Sequence, residues 1–305
     1  MLTLRAASAV APRIGATPLP RRVDRARPPR GRAFAPRASS SLDDMQVTLV
    51  HVSAKPGTEE EFVAASLANA TNSVEEPDNC RFDCLQDLDD PSRFVLVEIY
   101  RTPAGPAAHK ETSHYLTWRD DVADMMAQPR AARKYVPIYP WPNLWGTTAA
   151  SRRNPDPAPE ADDLARRFLT LDADAGRADD TAGFDLASLV DGLGDSKVIT
   201  HVHVRCKPGT EDDFAEASMA NAASSVLEPG NLRFDVLRDA EDPTRFLLVE
   251  VYADAEGPVA HKATPHYAQW RREVEEMMAA PREAKRYVAR FPVEPEAWKM
   301  TLSEV

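Results

Sequence analysis

Asn231-Leu-Arg-Phe-Asp235 has a counterpart in Asn79-Cys-Arg-Phe-Asp83, which lies 152 positions earlier in the chain. The same spacing relates two longer stretches, Arg245-Phe-Leu-Leu-Val-Glu-Val-Tyr252 to Arg93-Phe-Val-Leu-Val-Glu-Ile-Tyr100 and His261-Lys-Ala-Thr-Pro-His-Tyr267 to His109-Lys-Glu-Thr-Ser-His-Tyr115. Aligned without a gap, residues 47–140 and 199–292 are identical at about 53 of 94 positions. Self-similarity of this extent indicates a duplication. The chain therefore contains two copies of one module of about 95 residues.

Length and composition set the class of protein. The chain has 305 residues, of which 43% are hydrophobic and 28% charged, as is usual for a globular protein. No apolar run approaches the roughly 18 residues of a membrane span. The formal charge of −11 argues against nucleic acid as a partner, because phosphate binding needs a clustered basic face. We therefore expect neither a nucleic acid nor a membrane as partner.

The first 42 residues differ from the rest in charge. They hold nine Arg, no Lys and a single acid, Asp24, so their net charge is about +8 and that of the remainder about −19. They are also rich in Ala, Pro and Ser, and Arg interrupts any apolar run too early for a secretory signal. Residues 1–42 are thus predicted to be an organellar transit peptide, with a plastid favoured over a mitochondrion. A disordered basic arm is the alternative.

The sequence of each module predicts secondary-structure elements in the order strand–helix–strand–strand–helix–strand, which is the split βαβ pattern of ferredoxin-like folds. In the first copy, Thr58-Glu-Glu-Glu61 predicts a capping box at the start of the first helix. The second long helix is expected from His114 to about Ala127. The fold class is therefore α+β. Cys80 and Cys84 are interpreted as small core residues and not as a disulfide, because they are too far apart along one strand.

The predicted domain boundaries follow from the repeat. Residues 1–42 precede the modules, which span 45–141 and 197–293. An acidic, proline-rich linker covers 142–196 and includes Asn154-Pro-Asp-Pro-Ala-Pro-Glu160. Residues 294–305, with Trp298 and Met300, form a tail that we expect to be loosely attached.

The sequence contains no metal or dinucleotide fingerprint, so no metal and no cofactor are predicted. Proton-transfer groups repeat instead. Glu98 and Tyr100, like Glu250 and Tyr252, lie two apart on one strand and therefore share a face with apolar neighbours. Burial would raise the pKa of such a Glu and suit it to general acid–base catalysis. A structural Glu bonded to a helix backbone is an equally good interpretation.

Two histidines in each copy flank the junction between the helices that follow this strand. They are His109 and His114 in the first copy, and His261 and His266 in the second. Side chains five residues apart cannot share one helix face, but a break between them can aim both at one cavity. Histidine titrates near neutrality and can abstract a proton beside a carbonyl. A helix cap or loop anchor is the structural alternative.

Other repeated polar and aromatic residues are candidates for substrate binding, each with a structural alternative. Asn in a helix can contact a cavity or mark a frayed end, Lys can bind an anion or remain solvated, and Tyr and Trp can form an aromatic wall or core. The candidates are Asn69, Lys110, Tyr115, Trp118, Asn221, Lys262, Tyr267 and Trp270. Two structural ion pairs, Arg81–Asp83 and Arg233–Asp235, are predicted on the strand face opposite to that of Phe82 and its counterpart Phe234. His51 and His203 also face away from their neighbouring valines, without an assigned role.

These motifs resemble the antibiotic biosynthesis monooxygenase (ABM) superfamily of dimeric α+β barrels, and within it a subgroup of bacterial isomerases that act on a phosphorylated autoinducer. The resemblance rests on Glu228-Pro-Gly-Asn-Leu-Arg-Phe-Asp-Val-Leu237, the Asp242-Pro-Thr-Arg-Phe246 turn, His261–Tyr267 and Met277-Met-Ala-Ala-Pro-Arg282. Members are usually homodimers whose sheets close against each other. The resemblance thus implies that the two ferredoxin-like modules pack as an intramolecular dimer. The first copy departs from the pattern at Asp78, Cys80 and Ser113, although its ionisable candidates are all retained.

The resemblance implies an enzyme that acts on a small quinol-like or dicarbonyl molecule without a cofactor. The first expectation is monooxygenation, in which a general base makes a substrate anion that reduces dioxygen. The alternative is an isomerase that moves a proton within a phosphorylated hydroxy-dicarbonyl. Both begin with proton abstraction and use the same residues. A non-catalytic small-ligand-binding dimer is the third alternative.

Overall fold

A computed structural model describes residues 42–145 and 197–300. Its main elements are β1 Gln46–Ser53, α1 Glu59–Ser73, β2 Asn79–Asp87, β3 Arg93–Tyr100, α2 Gly105–Lys110, α3 Ser113–Asp121, β4 Ala131–Tyr139, β5 Val198–Arg205, α4 Glu211–Ser225, β6 Asn231–Asp239, β7 Arg245–Tyr252, α5 Glu256–Lys262, α6 Pro265–Glu275 and β8 Glu283–Phe291. The predicted α+β modules are confirmed. The predictions for residues 1–41 and for linker residues 146–196 lie outside the described residues, so the transit peptide and its organellar address stay predictions. In the described ranges, no helix is long and apolar enough to cross a membrane.

The eight strands form one closed antiparallel barrel in the order β1-β3-β2-β8-β5-β7-β6-β4. Each half contributes four consecutive strands. The halves join where β2 pairs with β8 and where β4 pairs with β6. Closure satisfies the backbone groups that the edge of an isolated four-stranded sheet would leave unpaired. The intramolecular dimeric barrel implied by the resemblance is therefore present.

Successive side chains of a strand point to opposite faces of the sheet, so each strand contributes both to the core inside the barrel and to a core under the helices. On β3, Val95 and Val97 point into the barrel, where one apolar cluster includes residues of both halves. Phe94 and Leu96 point outward and pack under the helices of their own half. Both faces are buried, which explains why residues 94–97 of the strand are all apolar. The sequence prediction of two apolar faces is thus confirmed.

The ends of β4 and β8 cross between the halves. An irregularity in the β4–β6 register brings Tyr139 into the core under the helices of the second half, with Phe234 and Trp270. Its counterpart Phe291 packs against the core under the helices of the first half. Each half therefore depends on its partner for part of its own core.

The interior of the barrel also contains the two predicted ion pairs. In each, the arginine Nε lies 2.8 Å from an aspartate Oδ2: Arg81 pairs with Asp83, and Arg233 with Asp235. Arg81 also stacks on Trp298, with 4.2 Å between the guanidinium carbon and the ring centroid. Trp298 is fully buried, so the expectation of a loosely attached tail is wrong for this residue. Because both side chains are buried, water does not weaken the cation–π attraction between the guanidinium group and the indole ring.

Two local predictions in the first half are also wrong. The hydroxyl of Thr58 donates to the carbonyl oxygen of Lys55 and does not cap α1. Helix α3 ends at Asp121, well before Ala127, because Met126 forms a β-bridge with Ala54. This pairing turns the chain back towards β1. The cysteine prediction is confirmed, since Cys80 and Cys84 are free and buried, and burial raises the pKa of each thiol to about 12.

Candidate active site

In the second half, one carboxylate lies within hydrogen-bond distance of both histidines of the repeated motif. Glu228 Oε1 lies 2.8 Å from His261 Nδ1 and 2.8 Å from His266 Nε2. The three residues come from the turn before β6, from the last turn of α5 and from the start of α6. The predicted break between the histidines is therefore real, and it aims both rings at Glu228.

Thr264 forms the break between α5 and α6. Its hydroxyl O–H donates to the carbonyl oxygen of His261 at 2.7 Å, and its hydroxyl oxygen accepts from the backbone N–H of Tyr267 at 3.3 Å. One side chain thus holds the end of α5 and caps the start of α6, as threonine commonly does at an N-cap. The sharp turn brings histidines five residues apart onto one acceptor.

The first half contains the same arrangement. Glu76 Oε1 lies 2.6 Å from His109 Nδ1 and 2.7 Å from His114 Nε2. Thr112 again caps the second helix, accepting from the backbone N–H of Tyr115. The departures of the first copy from the family pattern therefore leave this network intact.

The hydrogen bonds to Glu228 determine which ring nitrogens carry hydrogen. Burial by itself would raise the pKa of Glu228, but the bonds from His261 and His266 outweigh it, so the pKa lies below its ordinary value. The group is therefore a carboxylate and only accepts, which requires N–H at His261 Nδ1 and at His266 Nε2. In neutral His261, Nε2 is then the basic nitrogen.

A cavity of about 210 Å³ adjoins this network in the second half. Its walls combine apolar, aromatic and ionisable side chains, as is typical of small-molecule sites. They are Val198, Thr200, Val202, Asn221, Phe234, Glu250, Ala255, Pro258, His261, Lys262, Tyr267, Trp270, Arg282 and Ala284. Most residues predicted for catalysis or substrate binding in this half are among them; Tyr252 and His266 are not.

Tyr252 does not line the cavity but holds the side chain of Glu250 through a hydrogen bond. The phenol is fully buried and donates to Glu250 Oε2 at 3.1 Å. Burial, followed by the charge of Glu250, raises the pKa of Tyr252 well above its ordinary value. Tyr252 is therefore a neutral hydrogen-bond donor at physiological pH and does not act as the base. In the first half, Tyr100 donates to Glu98 in the same way, and burial raises the pKa of Glu98.

Asn221 presents an unused acceptor in this region. It is 3% exposed, it lines the cavity, and its Oδ1 has no hydrogen-bond partner among the residues that the structure describes. The matching Oδ1 of Asn69 is equally buried and unpartnered. A buried amide oxygen without a donor is costly unless a ligand satisfies it. A substrate hydroxyl can supply the missing hydrogen.

Two cations also line the cavity, Lys262 and Arg282. Arg282 lies over the Trp270 ring, 4.8 Å from its centroid. In the first half, Arg130 lies 4.9 Å over Trp118 and donates to the Tyr115 hydroxyl at 3.1 Å. The aromatic residues thus form both core and cavity wall, and they position a guanidinium group that can bind an anion.

Sequence reasoning missed Glu76 and Glu228 as site residues, and also Arg130 and Arg282. The signal for Glu228 was present, because Glu-Pro occurs at the same position of both copies, next to the strand that carries the motif. Arg282 ends the Met277–Arg282 stretch that carries the family resemblance, and Arg130 occupies the matching position of the first copy. By contrast, His51 and His203 face the barrel interior on β1 and β5, in register with inward Val95 and Leu247, and take no part in this cavity.

Comparisons with known proteins agree with this architecture. The sequence profile described as antibiotic biosynthesis monooxygenase matches residues 45–121 and 197–273, which together make up just over half of the chain. The chain belongs to the ABM family. Its two matches fall in the two halves of the barrel.

Curated relatives include isomerases of (4S)-4-hydroxy-5-phosphonooxypentane-2,3-dione. The Klebsiella pneumoniae enzyme is 45% identical over 94 residues, which are 31% of this chain and 96% of that protein. The Yersinia enterocolitica enzyme is 43% identical over 94 residues, which are 31% and 98%. These relatives are enzymes, which supports the prediction that this ABM protein is one.

A solved structure of a presumed monooxygenase from Lactobacillus acidophilus has a TM-score of 0.60. The two proteins are 15% identical, and the matched region covers 81% of this chain and 94% of the Lactobacillus chain. At this identity the likeness shows the fold alone. The monooxygenase expectation is therefore not confirmed by it, whereas the isomerase alternative is supported by curated relatives that are 43–45% identical.

Proposed function

We propose that this ABM protein is an isomerase that moves a proton between neighbouring carbons of a small, anionic hydroxy-dicarbonyl compound. The observation that carries the proposal is the pairing of His261 with Glu228 beside a cavity that also contains Glu250 and two cations. The identity of 45% to an isomerase of a phosphorylated hydroxy-dione supports the same substrate class.

Proton transfer between the carbons is assigned to His261. With Nδ1–H donated to Glu228, Nε2 removes the proton from the hydroxyl-bearing carbon, and the electron pair of that C–H bond forms an enediolate with the adjacent carbonyl. The imidazolium then returns the proton to the neighbouring carbon. Glu228 acts as the positioning group, because its negative charge stabilises the imidazolium.

Proton transfer between the oxygens is assigned to Glu250. The hydroxyl oxygen of the reactant must lose a proton as the former carbonyl oxygen gains one. Glu250 faces the cavity, and the Tyr252 hydroxyl holds one of its oxygens. A carboxylate in this position can receive the first proton and deliver the second.

The anionic end of the substrate is assigned to Lys262 and Arg282. Both line the cavity, and a guanidinium held over an indole ring is suited to a phosphate or carboxylate. Asn221 Oδ1 would accept a hydrogen bond from a substrate hydroxyl.

Monooxygenation is the second candidate and rests on the family description. The same base would form a substrate anion, which would then reduce dioxygen. A protein that only binds a small ligand would need the cavity but not an oriented base.

One assay separates the three functions. Purified protein is incubated with (4S)-4-hydroxy-5-phosphonooxypentane-2,3-dione in D₂O, while ¹H and ³¹P NMR follow the products and an oxygen electrode follows dioxygen. Isomerase activity predicts a rearranged phosphorylated product without oxygen uptake, with deuterium at the newly protonated carbon in those turnovers in which the imidazolium exchanges its proton with solvent. Oxygen uptake matching product formation would favour the monooxygenase, and saturable binding without turnover would favour the carrier; either result would overturn the proposal.

The plastid location indicated by residues 1–42 is part of the proposal. A fluorescent fusion of the full chain should enter plastids, and one that lacks residues 1–42 should not. Cytosolic fluorescence of the full-length fusion would contradict it.

A further inference from the structure

We propose that Glu228, His261 and His266, and their counterparts Glu76, His109 and His114, form two binding sites for a divalent transition-metal ion such as Zn²⁺, and that binding arrests proton transfer by switching the histidine tautomers. In each half the three donor atoms lie within 4.8 Å of one another. The metal-binding claim is independent of the proposed function. The claim that the metal arrests turnover rests on the proposed function, because it requires His261 to act as the base.

The donor atoms match this class of metal. Two imidazole nitrogens and one carboxylate oxygen are a common ligand set for zinc and its neighbours in the first transition series. Bonds of about 2.0–2.2 Å to one tetrahedral ion would place the donors roughly 3.4 Å apart. Glu228 Oε1 now lies 2.8 Å from each histidine nitrogen, so small side-chain movements would admit the ion.

A second carboxylate lies near each of the two proposed metal sites. Glu228 and Glu250 both raise the pKa of Tyr252 through their charges, after the larger effect of burial, so both carboxylates lie close to one buried phenol. In the first half, the charges of Glu98 and Glu76 act on Tyr100 in the same way. A divalent cation bound to Glu228 would be attracted by both carboxylates and repelled by Lys262 and Arg282, which line the same cavity.

The chemistry of the histidine ring explains why binding would stop the reaction. Without metal, His261 carries its hydrogen on Nδ1 and the lone pair on Nε2. A metal ion takes the lone pair of Nδ1, so the neutral ring must carry its hydrogen on Nε2 instead. His266 changes in the opposite direction, from Nε2–H to Nδ1–H. One proton moves within each ring and none is released, but the basic Nε2 of His261 is lost.

The test uses Co²⁺ as a spectroscopic probe for zinc. Full-length protein is treated with a chelator, freed of it, and titrated with Co²⁺ while visible absorption bands are recorded. We expect two ions per chain. The E228Q and E76Q variants should each bind one ion with unchanged affinity and the other at least about tenfold more weakly, because a neutral amide is a poor ligand. Glutamine retains the oxygen that accepts from both histidines.

Controls locate the ions. The H51A/H203A variant removes two histidines of the barrel interior and should still bind two. Absence of bands, or a stoichiometry that E76Q/E228Q leaves unchanged, would overturn the proposal. A single ion lost in only one of the two variants would refute the claim of two sites.

The tautomer switch has its own readout. Histidine ¹⁵N NMR of the metal-free protein should show His261 as the Nδ1–H form and, after addition of Zn²⁺, as the Nε2–H form. An unchanged tautomer with zinc bound would refute the switch. Turnover of the metal-free protein tests the proposed isomerase separately, so failure of one proposal does not imply failure of the other.

Discussion

The cavity and the barrel interior have diverged to different extents between the two halves. Of the fourteen residues that line the cavity of the second half, twelve are identical at the matching positions of the first; the exceptions are Val198 against Gln46 and Ala255 against Pro103. Inside the barrel, changes are frequent: Val47 matches Ile199, Leu49 matches His201, Cys80 matches Leu232, and Val95 matches Leu247.

The difference follows from what each region requires. The barrel interior is shared by both halves, so a larger side chain in one can be offset by a smaller one in the other, and apolar cores tolerate such exchanges when volume is kept. The cavity of the second half is lined by residues of that half alone. Its chemistry needs particular atoms at hydrogen-bond distance, and a partner half cannot replace them.

The largest effect is expected from removing the base in both halves. The H109A/H261A variant should lose about 10²–10⁴-fold in turnover, the usual contribution of a positioned general base. Each single variant should retain about half of the activity if both cavities work. Initial rates, with circular dichroism to verify folding, give the measurement.

The single variants also decide whether the halves are equivalent. If H261A alone abolishes turnover, the first cavity is inactive despite its identical network. Residual activity of the double variant above one tenth of wild type would contradict the assignment of the base.

Breaking an ion pair inside the barrel should cost stability. The R233M variant leaves Asp235 buried without its partner, and such losses amount to about 3–5 kcal/mol. R81M should cost about 1 kcal/mol more, because Arg81 also donates to the carbonyl oxygen of Ala297 at 3.1 Å. Urea denaturation measures both. The double variant R233M/D235L should recover most of the loss; if it does not, the ion pair is not the cause.

His201 should make the barrel sensitive to acid, whereas Leu49 at the matching position cannot. Burial lowers the pKa of His201 to about 3, and within residues 42–145 and 197–300 neither ring nitrogen has a hydrogen-bond partner. The unfolded chain, with a histidine pKa of about 6.5, binds a proton that the folded chain excludes. Stability therefore falls as the pH drops below about 6.5, by roughly 2 kcal/mol at pH 5 from this residue.

The H201L variant isolates this contribution. Its free energy of unfolding should fall less than that of the wild type between pH 7.5 and pH 5, by about the same 2 kcal/mol. Comparing slopes cancels any change in packing against Tyr287. Parallel pH profiles of the two proteins would exclude His201 as the source. His51 and His203, whose pKa values burial also lowers, remain in both proteins.

The smallest effect is expected at the one polar difference between the cavities. With the second site inactivated by H261A, Q46V should change the KM of the first site by no more than about fivefold, the effect of one hydrogen-bonding group. V198Q in the H109A background is the matched control. A change greater than about 50-fold in either would show that this position determines specificity.

Much of the fold could be predicted because it is local or repeated. The constant spacing of 152 reveals the duplication, and strand alternation alone places Val95 and Val97 opposite Phe94 and Leu96. The break between His261 and His266 followed from helix geometry. Helix α3, by contrast, was predicted too long, because a β-bridge from a distant segment ended it.

The sequence by itself determined two copies of an α+β module, their strand faces and the residue types that can transfer protons. Only the tertiary structure decided that Glu228 joins both histidines, that Tyr252 supports Glu250, and that Trp298 stacks on an arginine of the other half. The physical reason is distance along the chain. Strand and helix periods specify which way a side chain points, whereas contacts between residues tens or hundreds of positions apart depend on how the closed barrel packs its helices and chain ends.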